Sequence, residues 1–126
     1  MAGGEERVLN LSYLVEATDG DEEFIGQLLH DYVKEMQPYV ARMHALCDQG
    51  SVEELSLAAH TLKGASANVG ASEVSETARR LEEKLRTGSI NHCNPLLEQL
   101  NRQMAEVADT LETVALSQLI EPTGSK

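Results

Sequence analysis

Residues 57–72, LAAHTLKGASANVGAS, set His60, Lys63 and Gly64 within one and a half helical turns, and Glu82 follows 22 residues after the histidine. A neutral imidazole keeps one ring nitrogen with a free lone pair near pH 7 and is a good nucleophile. An ammonium one turn away can offset negative charge. At about 100° per residue, Leu55, Ala58, Ala59, Leu62, Ala65 and Val69 fall in one apolar sector, which is the stripe expected to be buried. His60 lies opposite. Lys63, Gly64 and Ala67 share its side, with Leu57 at the edge. A glycine exposed inside a helix costs about 0.5–1 kcal/mol relative to alanine. Here it leaves the ring standing over a shallow floor, across which a second protein can bring a reactive group.

Glu82 falls at the border of the apolar stripe Val74, Ala78, Leu81 and Leu85, from where a partly buried carboxylate can reach the neighbouring helix. Arg79 shares that border. Residues 63–86 hold five basic and four acidic side chains, a local charge of +1 in a chain of −11. Pairs such as Glu76 with Arg80 account for much of this as a solvated helix face, and the segment remains locally attractive to an acidic surface.

Other chemistries lack their residues. A metal-dependent bundle enzyme needs Glu-x-x-His pairs on facing helices; the chain has none, and His30, His44 and His92 are scattered. No metal site is expected. Cys47 and Cys93 have neither zinc-site nor redox-motif spacing and are read as reduced packing residues. With 21 acidic against 10 basic residues, the chain would be repelled by nucleic acid and by anionic membrane. It carries no apolar run of membrane length. The expectation is a cytoplasmic monomer.

The elements that must position these residues are helices. There is no Trp, one Phe and three Tyr among 126 residues, so the core must be aliphatic. Asn10 is placed to cap a short helix carrying Leu11, Leu14 and Val15, which ends before the turn signal ATDGD. Asp21 opens a long helix with Phe24, Ile25, Leu28, Leu29, Tyr32, Val33 and Met36 in helical period, kinked at Pro38 and resuming through Tyr39, Val40, Met43 and Leu46. Gly50 ends it. Ser51 with Glu54 forms a capping box for the next helix, expected to run to about Val69 before a turn at Gly70. A fourth helix closes at Thr87-Gly88. Asn94-Pro95 caps the last, which carries Leu97, Leu100, Met104, Val107, Ala108, Leu111 and Val114. The fold class is all-α: an antiparallel four-helix bundle over residues 10–117, with the short N-terminal helix as a lid and flexible ends at 1–9 and 118–126.

The run His60-Thr61-Leu62-Lys63-Gly64, then Ala65-Ser66-Ala67-Asn68-Val69-Gly70-Ala71 and Arg80-Leu81-Glu82, resembles the His-x-Leu-Lys-Gly core and downstream Leu-Glu of the histidine-containing phosphotransfer (HPt) domains. The resemblance is specific over about 26 residues, and the helix layout extends it over most of the chain. It implies that His60 is the phosphoacceptor, that Lys63 assists the phosphoryl group, that Gly64 gives clearance, and that Glu82 accepts a hydrogen bond from the other ring nitrogen. It also implies a phosphocarrier without turnover of its own. Such a carrier accepts phosphate reversibly from receiver domains of hybrid histidine kinases and response regulators and holds no cofactor; the receiver supplies Mg²⁺. Docking is expected on Leu57, with Leu11, Leu14 and Val15 either joining it or packing the lid. Two alternatives stay open: the chemotaxis-kinase type, phosphorylated by an attached kinase, and a helical adaptor that binds receivers without carrying phosphate.

Overall fold

The computed structural model describes residues 8–88 and 90–113. Within them the chain forms α1 (Ser12–Thr18), α2 (Glu22–Gln49), α3 (Val52–Asn68), α4 (Ser72–Arg86) and α5 (Asn94–Thr113), and no strand. The four longer helices pack in a ring: α2 touches α3 and α5, and α4 touches the same two. Cross-links show them running antiparallel. The end of α2 meets the start of α5 through Cys47 and Asn94, while an early turn of α2 meets the last turns of α3 through Tyr32 and Ser66.

Local chemistry sets each boundary. The Asp21 side chain accepts the Phe24 N–H at 3.1 Å and so caps α2. Its core stripe is Ile25, Leu29, Tyr32, Met36, Val40, Met43 and Leu46, spaced by threes and fours, and the helix continues through Pro38. Phe24, expected on the same stripe, instead points to solvent. Gly50 then takes a positive φ of 72°, and the Gly50 and Ser51 N–H groups close on Cys47 and Leu46. This closure fixes the Ser51 backbone, and its hydroxyl makes no capping bond to α3, so the expected capping box does not form. The same turn recurs at Gly70, with φ of 80° and the Ala71 N–H on the Ser66 carbonyl.

Helix α5 begins one residue earlier than the Asn94-Pro95 signal suggests. The Cys93 carbonyl accepts the Leu97 N–H, so Cys93 takes the cap position and Pro95 sits inside the first turn. Asn10 caps α1 from one residue further out, its side chain accepting from both the Ser12 N–H and hydroxyl.

The lid is fastened at Gly70, whose carbonyl accepts the Asn10 N–H at 2.7 Å. A Cβ on Gly70 would strike the Asn10 carbonyl, so only glycine lets the two strands of backbone approach. Leu9, assigned from sequence to the flexible N-terminus, is buried in the core with Leu11 and Leu14, because the fastened lid covers that end of the bundle. The remaining expected flexible residues, 1–7 and 118–126, and Val114 of the last helix lie outside the described residues.

Candidate phosphoacceptor site

His60 stands in the middle of α3 on the face opposite Leu55, Ala59 and Leu62, all of them fully buried. Its side chain is 60% exposed and its Nδ1 lies 2.9 Å from Glu82 Oε2 on α4. The second oxygen, Oε1, is 2.9 Å from Lys63 Nζ. One carboxylate thus holds both groups of the α3 face, and it does so from a half-buried position, 19% exposed, at the border between the helices.

The electrostatics follow from the contacts. The hydrogen bond from Lys63 holds the Glu82 carboxyl below the ordinary carboxylate range; burial pushes it upward by less, and the weaker contribution of the His60 hydrogen bond lowers it further. An ionised carboxylate only accepts hydrogen bonds. The proton in the His60–Glu82 contact therefore sits on Nδ1, and a neutral ring has its lone pair on Nε2, the nitrogen that does not bond Glu82, in a side chain that is 60% exposed.

The floor toward the C-terminus is low. A Cβ placed on Gly64 would meet nothing within 4 Å, so the glycine is not required by packing. Ala67 is exposed one turn further along. Toward the N-terminus Leu57 is 67% exposed and lines a groove with Tyr39 and Arg42 of α2.

Other residues expected near the site lie elsewhere. Leu11 and Leu14 are 2% and 5% exposed on the inner side of the lid and present no surface to a partner; of the two uses left open, they serve packing. Val15 is half-buried against the core. The Arg79 guanidinium is held by Glu76 at 2.7 Å and Glu83 at 3.2 Å, both on α4, so it neither touches Glu82 nor offers an uncompensated charge. Ala65 is only half-buried, and Ser66 takes its place in the core.

Sequence reasoning missed three side chains. Tyr13, 52% exposed on α1, lines a groove with Ala67 and Asn68 of α3. Its position was legible: it falls on the opposite side of α1 from Leu11 and Leu14. Ser75 of α4 donates its hydroxyl to the Lys63 carbonyl at 3.0 Å. Buried Ser66 pairs with Tyr32 at 2.6 Å. Among the described residues no group of three or more His, Cys, Asp or Glu side chains is placed to hold a metal ion, and no helix is long and apolar enough to cross a membrane.

The crystal structure of the HPT domain from a Hpt sensor hybrid histidine kinase of Shewanella superposes with a TM-score of 0.73, at 18% sequence identity, over 90% of this chain and 97% of that one. That similarity is one of fold. No curated protein matches the chain. The Hpt domain family model matches residues 27–119, a span that contains α3, α4 and all three members of the His60–Lys63–Glu82 cluster. With the family model matched over most of the chain and a helical bundle holding the His60 imidazole out to solvent beside Glu82, the chain belongs to the Hpt domain family, the phosphotransfer domains of two-component signalling.

Proposed function

We propose that this chain is a phosphorelay carrier in which His60 takes a phosphoryl group from a receiver-domain aspartate and passes it to another receiver. The observation that carries this reading is the 2.9 Å contact from His60 Nδ1 to Glu82 on a ring that remains 60% exposed. It leaves Nε2 as the nucleophile. In the forward step the Nε2 lone pair attacks phosphorus, an N–P bond forms, and the P–O bond to the donor aspartate breaks with its electron pair leaving on the carboxylate. The Nδ1 proton stays on the ring. The phosphorylated ring carries positive charge that the Glu82 carboxylate offsets, as an orienting carboxylate does for imidazolium elsewhere. The reverse step regenerates the free ring, so transfer runs either way and the chain alone turns nothing over.

Lys63 starts on Glu82 and stands one turn from the ring, within reach of the arriving phosphoryl oxygens. Mg²⁺ comes with the receiver, whose pocket supplies the charge neutralisation for in-line transfer. Leu57 on one side, and Ala67 with Tyr13 on the other, flank the ring as apolar contacts for the docked receiver.

The test is transfer from a phosphorylated receiver domain. Wild type should become labelled and His60→Gln should not. Label retained on His60→Gln would show the wrong acceptor, and binding without label on wild type would make the chain an adaptor.

A further inference from the structure

Two side chains of helix α4 meet on one residue of α3. Glu82 takes the Lys63 ammonium at 2.9 Å, and Ser75 donates its hydroxyl to the Lys63 carbonyl at 3.0 Å. Ser75 and Glu82 are seven residues apart, hence on one face of α4, two turns and roughly 10 Å from each other. A serine inside a helix ordinarily bonds back to a carbonyl of its own preceding turn. Ser75 instead reaches across to another helix, to the second lone pair of a carbonyl in the interior of α3. That carbonyl belongs to the Lys63–Gly64 peptide, which forms the floor beside His60.

We propose that Ser75 is a positioning residue of the phosphoacceptor site: it fixes the height of α4 against α3 so that the Glu82 carboxylate meets His60 Nδ1 and Lys63 together. This inference rests on the phosphotransfer reading above for its consequence, but not for its geometry. Glu82 is a long side chain at the border between two helices, and alone it tolerates sliding and rotation of α4. A second fastening two turns away removes that freedom. The tolerance is small, because a slide of about 1 Å carries a 2.9 Å contact beyond hydrogen-bond range. When that contact is lost, nothing in the cluster selects the tautomer with Nε2 bare.

Ser75→Ala tests this, since alanine suits the helix and removes only the hydroxyl. The readouts are the His60 tautomer by ¹⁵N NMR of the imidazole, and the rate of phosphoryl uptake from a phosphorylated receiver and from phosphoramidate, a small donor that needs no docking surface. Wild type should hold the Nδ1–H form. Ser75→Ala should show exchange between the two tautomers and slow uptake from both donors by about three- to tenfold, and Ser75→Thr, which restores the hydroxyl, should return both readouts to within about twofold of wild type. A wild-type tautomer signature in Ser75→Ala overturns the proposal, whatever happens to its melting temperature. So does loss of folding in that variant, which would make the hydroxyl a structural pin alone. If wild type takes no phosphoryl group from either donor, the phosphotransfer reading fails, and the tautomer measurement still judges Ser75.

Discussion

Gly64 and Glu82 shape the site in opposite ways, one by having no side chain and the other by dividing its carboxylate between two partners. The glycine is the sharper test. Open space surrounds a Cβ built there, so Gly64→Ala should stabilise the fold by about 0.5–1 kcal/mol through helix propensity alone and transfer at nearly the wild-type rate. Gly64→Leu should melt close to wild type yet transfer at least tenfold more slowly, since its side chain stands where a receiver must approach the ring. Melting curves and label uptake separate the two effects; an undiminished rate in the leucine variant would remove clearance as the reason for the glycine. The placement of His60, Lys63 and Gly64 on one exposed face was legible because helical period alone decides it. That Lys63 rests on Glu82 was not legible, because period fixes which face a long side chain leaves from and not which of two neighbours it reaches.

At the scale of elements, α2 and α3 are locked by a polar contact that no apolar pattern reveals. Tyr32 is 6% exposed and its hydroxyl is 2.6 Å from Ser66, itself fully buried. Burial pushes the Tyr32 pKa up to about 12, moderated by the Ser66 hydrogen bond. The sign of the linkage is fixed by this raised value. Between pH 10 and about 12 the unfolded chain gives up a proton that the folded one keeps, so the contribution of Tyr32 is complete below pH 10 and is lost as pH rises to 12. The loss amounts to roughly 3 kcal/mol. Tyr32→Phe should cost about 1–3 kcal/mol at neutral pH, by leaving a buried hydroxyl unpaired, and should flatten this alkaline slope. Urea unfolding of both proteins at pH 9, 10.5 and 11.5 checks it, and parallel pH curves would refute the assignment. The helix ends at Gly50 and Gly70 were legible because a positive φ favours glycine in any context. Ser66 was not, because its partner lies 34 residues away and a serine between two alanines carries no mark of burial. Ser51 misled for a related reason: the capping pattern was present, but the end of α2 had already fixed its backbone.

For the whole molecule the dominant quantity is charge. A formal −11 on 126 residues means that mutual repulsion among carboxylates opposes the compact state, and among the described residues the ion pairs that offset it, such as those of Arg79, are mostly exposed. Exposed pairs contribute little and weaken with salt, whereas net repulsion is long-ranged and is screened over a Debye length of about 10 Å at 0.1 M. The second effect wins here. Raising salt from about 10 to 150 mM at pH 7 should therefore stabilise the fold, on the order of 1 kcal/mol, equivalent to a rise of about 2–8 °C in melting temperature. Thermal unfolding followed by circular dichroism measures this directly. A fall in melting temperature would mean that the contacts joining α3 to α4 through Glu82 carry more of the stability than their partial exposure allows. Lys63→Met then decides between the two accounts. If repulsion governs, removing one more positive charge steepens the rise with salt; if the Glu82 contacts govern, the variant loses the salt sensitivity altogether.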